Sequence, residues 1–150
     1  MQYWLMKSEP DAYSIDDLKR EKVTSWSGVR NFQARNFMMQ MAVGDLVLFY
    51  HSSTKPAGVA GVAKVAKKAH PDESQFDSKG EYFEPRATVE KPLWYCPNIR
   101  FVSKLKALFT LDEIKLDPKL EGMRARISTR LSVQPVSKKD FEYIVSIDGI

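Results

Sequence analysis

The chain has 150 residues, of which 43% are hydrophobic and 28% charged, with a net charge of +4. A chain of this length and balance buries roughly 68–70% of its unfolded surface, so a core offsets conformational entropy without disulfides or metals. The single cysteine, Cys96, excludes an internal disulfide and suits a reducing cytosol or nucleus. No apolar run approaches the ~20 residues that span a bilayer, and MQYWLMKSEP lacks the basic-then-apolar pattern of a secretion signal. These features predict a single domain, 1–150, cytoplasmic and monomeric, with no membrane partner, cofactor or metal.

Charge is unevenly placed. Residues 72–90 hold six acids and two bases, whereas residues 98–139 hold ten bases and four acids, including MRARISTR. A one-sided basic face favours a polyanion through phosphate contacts and counterion release; a merely solvated face is the competing reading.

In chain order, QYWLM is an apolar and aromatic run closed by Pro10, which predicts a first strand. SIDDLKRE begins with a capping serine, Ser14, and carries Asp17 three residues on, the pattern of a short helix. A polar loop around Trp26 precedes NFQARNFMMQM, a helix capped by Asn31 and stopped by Gly44, in which Phe32, Phe37, Met38 and Met41 are placed so that several share a face. DLVLFYHS reads as a central strand and VAGVAKVAKKA as a second. HPDESQFDSKGEYFEP is loop-like. ATVEKPLWY and IRFVSKL read as further strands broken near Pro97, TLDEIKL carries a Thr110–Glu113 capping box, and LSVQPVSKKDFEYI ends a strand and opens a helix at Ser137. This alternation predicts an α+β domain whose strands curl into a barrel with short helices around it.

Catalytic signatures are missing: no phosphate-binding Gly loop, no GxSxG, HExxH or CxxC, and no metal-ligand spacing among His51, His70 and Cys96. A Cys96–His51 nucleophilic pair would have to be assembled by the fold. The positive features lie at element ends, where barrels build binding mouths. They are Lys7 and Ser8; Trp26, Ser27, Arg30 and Asn31; Tyr50, His51 and Ser52; Trp94 and Tyr95; Arg130, Ser132 and Gln134. Aromatic faces with amides and hydroxyls can stack a planar heterocycle and read its edge. Singly, each has a structural explanation: Trp4 as core, His51 as a strand-end histidine bonded to backbone, Arg30 as an ion-pair partner. Trp26 fits a core least well, because its neighbours are polar.

The blocks YWLMKSEP (3–10), WSGVRNFQARNFM (26–38), GDLVLFYHS (44–52), GVAGVAKV (58–65), QFD, KPLWY and RLSVQPVS (130–137) resemble the EVE domain family over nearly the whole chain. Thr129 stands where members often carry glycine. The resemblance implies a PUA-like fold, a curled mixed β-barrel flanked by short helices. It also implies a non-enzymatic nucleic-acid-binding module, with 5-methylcytosine or 5-hydroxymethylcytosine in DNA as the leading ligand. On this chain Trp26 becomes one aromatic wall with Tyr50 or Trp94 opposite. Ser8, Asn31, His51 and Ser52 address the base edge, with Ser27 and Ser132 in the lining. Lys7, Arg30 and Arg130 meet phosphates, and Gln134 serves either task. A PUA-type RNA-binding module, or a small-molecule-binding or hydrolytic protein using the same pocket, are the alternatives.

Overall fold

A computed structural model describes residues 1–148, with only the backbone of Ala125. Six strands, β1 (Tyr3–Ser8), β2 (Val23–Ser25), β3 (Leu46–His51), β4 (Gly58–Pro71), β5 (Tyr95–Thr110) and β6 (Val133–Val136), form one sheet in the order β2-β5-β4-β3-β1-β6. β1 and β3 run parallel, and every other pair is antiparallel. The helices are α1 (Ile15–Glu21), α2 (Phe32–Gln40), α3 (Leu111–Leu116), α4 (Glu121–Ile127) and α5 (Lys138–Ile147), with 3-10 turns at Glu73–Phe76 and Pro118–Leu120.

Successive residues of a strand point to opposite faces, and both faces of this sheet are covered. Trp4, Met6, Val47 and Phe49 pack with Ile15 and Leu18 of α1 and Ala34 and Met38 of α2 on one face. Leu5, Leu48 and Tyr50 pack with Ile114 of α3, Leu120, Met123 and Ile127 on and beside α4, and Phe141 and Ile144 of α5 on the other. This corrects the predicted barrel. The α+β class and the short flanking helices stand, but the sheet is open, with β2 and β6 at opposite ends of the strand order. Closure would require a single interior, whereas here each face has its own helices. The end strands are also short, at three and four residues, and Pro135 removes a donor from β6.

Several local expectations are met by named bonds. Ser14 and Asp17 form a capping box on α1, and Thr110 and Glu113 form another on α3. Asn31 and Ser137 cap α2 and α5. Trp4 is core, and its indole N–H donates to the buried Asp45 carboxylate at 3.0 Å. Other expectations fail. ATVEKPLWY is no strand before Tyr95, and β5 then runs unbroken through Pro97. The proline is accommodated because the β4–β5 register slips between Lys67–Asn98 and His70–Cys96, so its missing N–H falls in a bulge. Of the four apolar side chains expected to supply a shared face in and after α2, Met38 and Met41 are buried and Phe37 packs against the same core, while Phe32 is 45% exposed.

At Gly58, β4 lies tight against the β5 backbone: a Cβ there would lie 2.7 Å from the Thr110 Cα, with the Phe109 carbonyl closer still. Both are backbone atoms and cannot swing aside. Gly58→Ala is therefore expected to destabilise the fold by about 3 kcal/mol, the upper end of overpacking costs. Urea denaturation checks this; an unchanged midpoint would show that the two strands can part freely at this point.

Candidate functional site

Ser8 at the end of β1, Tyr13 before α1, Thr24 and Ser25 of β2, and Trp26 and Ser27 of the loop after it line a cavity of about 160 Å³. This is smaller than the roughly 300–1,000 Å³ of sites for drug-sized ligands and suits a single ring. Trp26 is 7% exposed and belongs to the core on the α1–α2 face. Its ring meets Phe49 edge-to-face at 5.5 Å and Tyr13 at 6.4 Å, the perpendicular contacts that aromatic quadrupoles favour. The tryptophan is thus fixed by packing on one side and lines the cavity on another. Ser8 Oγ donates to the Tyr13 carbonyl at 2.7 Å, Ser25 Oγ donates to Asn98 Oδ1 at 2.8 Å, and Ser27 is exposed.

The loop carrying Trp26 is held at both ends. Its backbone N–H donates to the Pro97 carbonyl at 2.9 Å. Two residues on, Gly28 adopts φ +86°, and a Cβ there would lie 3.0 Å from the Tyr82 ring. The Gly28 N–H donates to Asp72 Oδ2 at 2.9 Å, and the same oxygen accepts from Arg30 at 3.2 Å. Asp72 Oδ1 accepts from the Ser74 N–H and hydroxyl at 2.9 and 2.6 Å. Burial alone would raise the pKa of Asp72, but the bonds from Ser74, Gly28 and Arg30 outweigh it and hold the carboxyl below its ordinary value.

Arg30 is consumed by this anchor. It also donates to the Val29 carbonyl, Ser74 Oγ and the Tyr82 carbonyl, and its guanidinium lies 5.4 Å from the Tyr82 ring and 5.3 Å from the Trp94 ring. Trp94 stacks on Phe32 at 4.6 Å and donates its indole N–H to Glu84, and Arg35 lies 4.8 Å over Phe32. Trp94 therefore belongs to a separate ladder and does not line the Trp26 cavity. Tyr50 cannot stand opposite Trp26 either, because it faces the other core. The second ring of the cavity is Tyr13. With Thr24 and Ser25, it escaped the sequence reading: the latter two flank Trp26 in TSWS, while Tyr13 is brought there only by the turn before α1.

His51 sits level with Ser8 in the register, and the Ser52 N–H donates to the Ser8 carbonyl at 2.9 Å. The His51 Nε2 accepts the Ile15 N–H at 3.1 Å, which places the proton of the neutral ring on Nδ1. Asn31 is spent on the Ala34 N–H as the α2 cap. Lys7 points to the other face, where Nζ donates to the Ile127 and Thr129 carbonyls at 3.1 and 2.8 Å, and Ser132 accepts its backbone N–H. Gln134 is buried beside a different cavity, and Arg130 is exposed. Among the described residues, no group of three or more His, Cys, Asp or Glu is arranged to hold a metal. Cys96 lies opposite His70 in the β4–β5 register, and burial pushes its thiol up to about 12, a poor nucleophile.

The EVE domain family model matches residues 2–147. The chain belongs to the EVE domain family. It is 35% identical to human thymocyte nuclear protein 1 over 165 residues, which covers 97% of this chain and 73% of that one. A solved structure of a hypothetical protein from Leishmania major superposes with TM-score 0.94 at 47% identity, covering 99% and 95% of the two chains. Human THYN1 protein in complex with DNA containing 5-methylcytosine superposes with TM-score 0.91 at 34% identity, covering 100% and 99%. The name of the human and other vertebrate relatives is nuclear, which overturns the expectation of a cytoplasmic protein. No helix among the described residues is long and apolar enough to cross a membrane.

Two predictions follow from the geometry of this EVE domain. Asp72→Ala leaves the Gly28 N–H, the Ser74 donors and the Arg30 guanidinium without their acceptor. A loss of about 3 kcal/mol is expected in urea unfolding followed by tryptophan fluorescence; a loss below ~1 kcal/mol would remove Asp72 as the anchor. Burial lowers the pKa of His51, with Asp16 opposing and Lys104 adding to the shift. The unfolded chain then binds the proton more tightly, so this contribution is complete above about pH 6.5 and is lost as pH falls through the native pKa. Stability measured between about pH 7.5 and 5.5 should fall with pH, and His51→Gln should flatten that slope. An identical slope in the variant would remove His51 as its source.

Proposed function

We propose that the chain is a single EVE module that binds nucleic acid by taking one base of the 5-methylcytosine type, in DNA, out of its stack and seating it against Trp26. The observation that carries this reading is the agreement over the full chain with human THYN1 protein in its complex with 5-methylcytosine-containing DNA. The local chemistry supports it. The cavity offers one rigid indole, a second ring at Tyr13, and hydroxyls from Ser8, Thr24, Ser25 and Ser27. An extruded base gives up its pairing and stacking in the duplex and regains stacking on the indole and edge hydrogen bonds to these hydroxyls.

The energetics divide the labour. Stacking on an aromatic is worth about 1–3 kcal/mol per base, while extrusion costs a few kcal/mol, so the two nearly cancel. Net affinity then rests on phosphate contacts, for which Arg130 and the basic 98–139 segment are the source. Selectivity rests on filling a small cavity, where one extra methyl is worth about 1–3 kcal/mol. Lys7 and Arg30 are left out of the phosphate rim because both are committed to internal acceptors.

Fluorescence anisotropy with duplexes carrying cytosine, 5-methylcytosine or 5-hydroxymethylcytosine at one position, and matched RNA, is expected to show about tenfold or greater preference for a modified DNA. Trp26→Ala should abolish that preference and leave weak salt-dependent binding, with Trp26→Phe keeping the core filled as a folded control. Discrimination surviving in Trp26→Ala would remove Trp26 as the wall. Arg130→Ala should weaken modified and plain duplexes alike and flatten the salt slope by about one.

A further inference from the structure

The turn from Arg126 to Leu131, which leads from α4 into β6, is held by two side chains of the sheet. Lys7 of β1 donates from Nζ to the Ile127 and Thr129 carbonyls at 3.1 and 2.8 Å. Gln134 of β6 is 3% exposed, and its Nε2 donates to the Arg126 and Leu131 carbonyls, both at 2.8 Å, with Thr129 Oγ1 at 3.3 Å. The Thr129 hydroxyl in turn donates to the Arg126 carbonyl at 2.8 Å. The carbonyls of Arg126, Ile127, Thr129 and Leu131 are thus all engaged from within the fold. Left bare, the last carbonyls of a helix put partial negative charge at its C-terminal end and repel anions. Here an ammonium and an amide cover them.

What the turn leaves outside is positive. Arg126 and Arg130 are exposed, and no acid lies between Glu121 and Asp140 in the chain. Among the described residues neither arginine forms an ion pair, whereas Arg20, Arg30 and Arg86 each meet a carboxylate, at 3.0, 3.2 and 2.9 Å. Arg126 makes one long bond inside the fold, to the Pro135 carbonyl at 3.5 Å. The turn runs into Ser132, whose carbonyl accepts the Lys7 N–H at 2.8 Å, and the residue after Lys7 is Ser8, which lines the Trp26 cavity. Uncommitted guanidinium groups on a turn whose carbonyls are covered suit the oxygens of a phosphodiester.

We propose that the 126–131 turn is a phosphate-contacting surface, and that Lys7 and Gln134 are its positioning residues. They hold the turn so that Arg126 and Arg130 meet the backbone of the strand whose base is seated at Trp26. The choice of partner rests on the Trp26 reading; the turn and its clamp do not. Lys7 acts through the arginines and touches no phosphate itself. One strand thereby serves two tasks: Ser8 lines the base cavity, and Lys7, on the opposite face, fixes the arginines.

The test is fluorescence anisotropy of the whole chain with plain and 5-methylcytosine duplexes across a salt series. Arg126→Ala combined with Arg130→Ala should flatten the slope of log affinity against log salt by about two. Lys7→Met and Gln134→Met keep side-chain bulk and remove the donors; each should weaken both duplexes about tenfold and flatten the slope by about one, with the ratio of modified to plain unchanged. In the double-arginine background Lys7→Met should change the slope no further. Thr129→Ala trims one exposed hydroxyl from the clamp, should weaken both duplexes a few-fold, and carries the test should the methionine variants not fold. A wild-type slope in the double-arginine variant would overturn the surface, and a preference for the modified duplex persisting there would leave the Trp26 reading standing. A Lys7→Met loss undiminished in the double-arginine background would make the lysine itself the phosphate contact and overturn its positioning role. Slopes that depend on the arginines but ignore every clamp variant would overturn the clamp. If the slopes respond as expected while modified and plain duplexes bind alike, the turn stands and the Trp26 reading fails.

Discussion

The parallel pairing of β1 with β3, in the middle of a sheet buried on both faces, decides what the site can contain. Along a strand neighbouring residues face opposite ways, so Lys7 and Ser8 cannot serve one pocket, nor can Tyr50 and His51. Ser8 and His51 share the Trp26 face, level with each other in the register, while Lys7 and Tyr50 share the opposite face, 5.7 Å apart from Nζ to ring. There Lys7 ties down the carbonyls at the end of α4. A single alternation thus assigns one set of side chains to the candidate site and the other to supporting the helix behind it.

Given that face, the cavity depends on a loop that would otherwise be free. The loop after β2 has little regular structure, and its conformation is set by a buried carboxylate that satisfies Gly28, Arg30 and Ser74 together. An ion pair of this kind adds modestly to stability once its desolvation is counted, but removing one partner is costly. Its consequence here is geometric. Arg30 is drawn away from the Trp26 cavity, between Tyr82 and Trp94, and carries the acidic 72–90 segment with it. The negative stretch is thereby attached to the side of the domain that the Trp94 ladder occupies, and Asp72 and Glu84 within it are engaged by Arg30 and Arg86.

Much of the scaffold was legible in the sequence because it is written in local chemistry. Ser14–Asp17 and Thr110–Glu113 announce two helices through reciprocal cap bonds, and DLVLFYHS announces a central strand through its unbroken apolar run. The open sheet was not legible, since closure depends on which faces the helices choose, a long-range property. Pro97 reads as a strand breaker by its own nature, yet a bulge contributed by β4 absorbs it. The site divides similarly. Trp26, Ser8 and Ser27 share the cavity, and Trp26 stands out in sequence because a large ring among polar neighbours is costly without a reason. Tyr13 carries no such signal: only the fold turns it toward Trp26. Arg30 and Asn31 resemble ligand-binding groups in composition but are occupied by Asp72 and by the helix cap.

The way the Trp26 cavity is held has consequences for recognition. Trp26 is fixed by perpendicular ring contacts and backbone bonds, so its cavity is preorganised and a ligand there loses little to rearrangement of the protein. A ring that fills this cavity is selected by shape, with a penalty set by unfilled space.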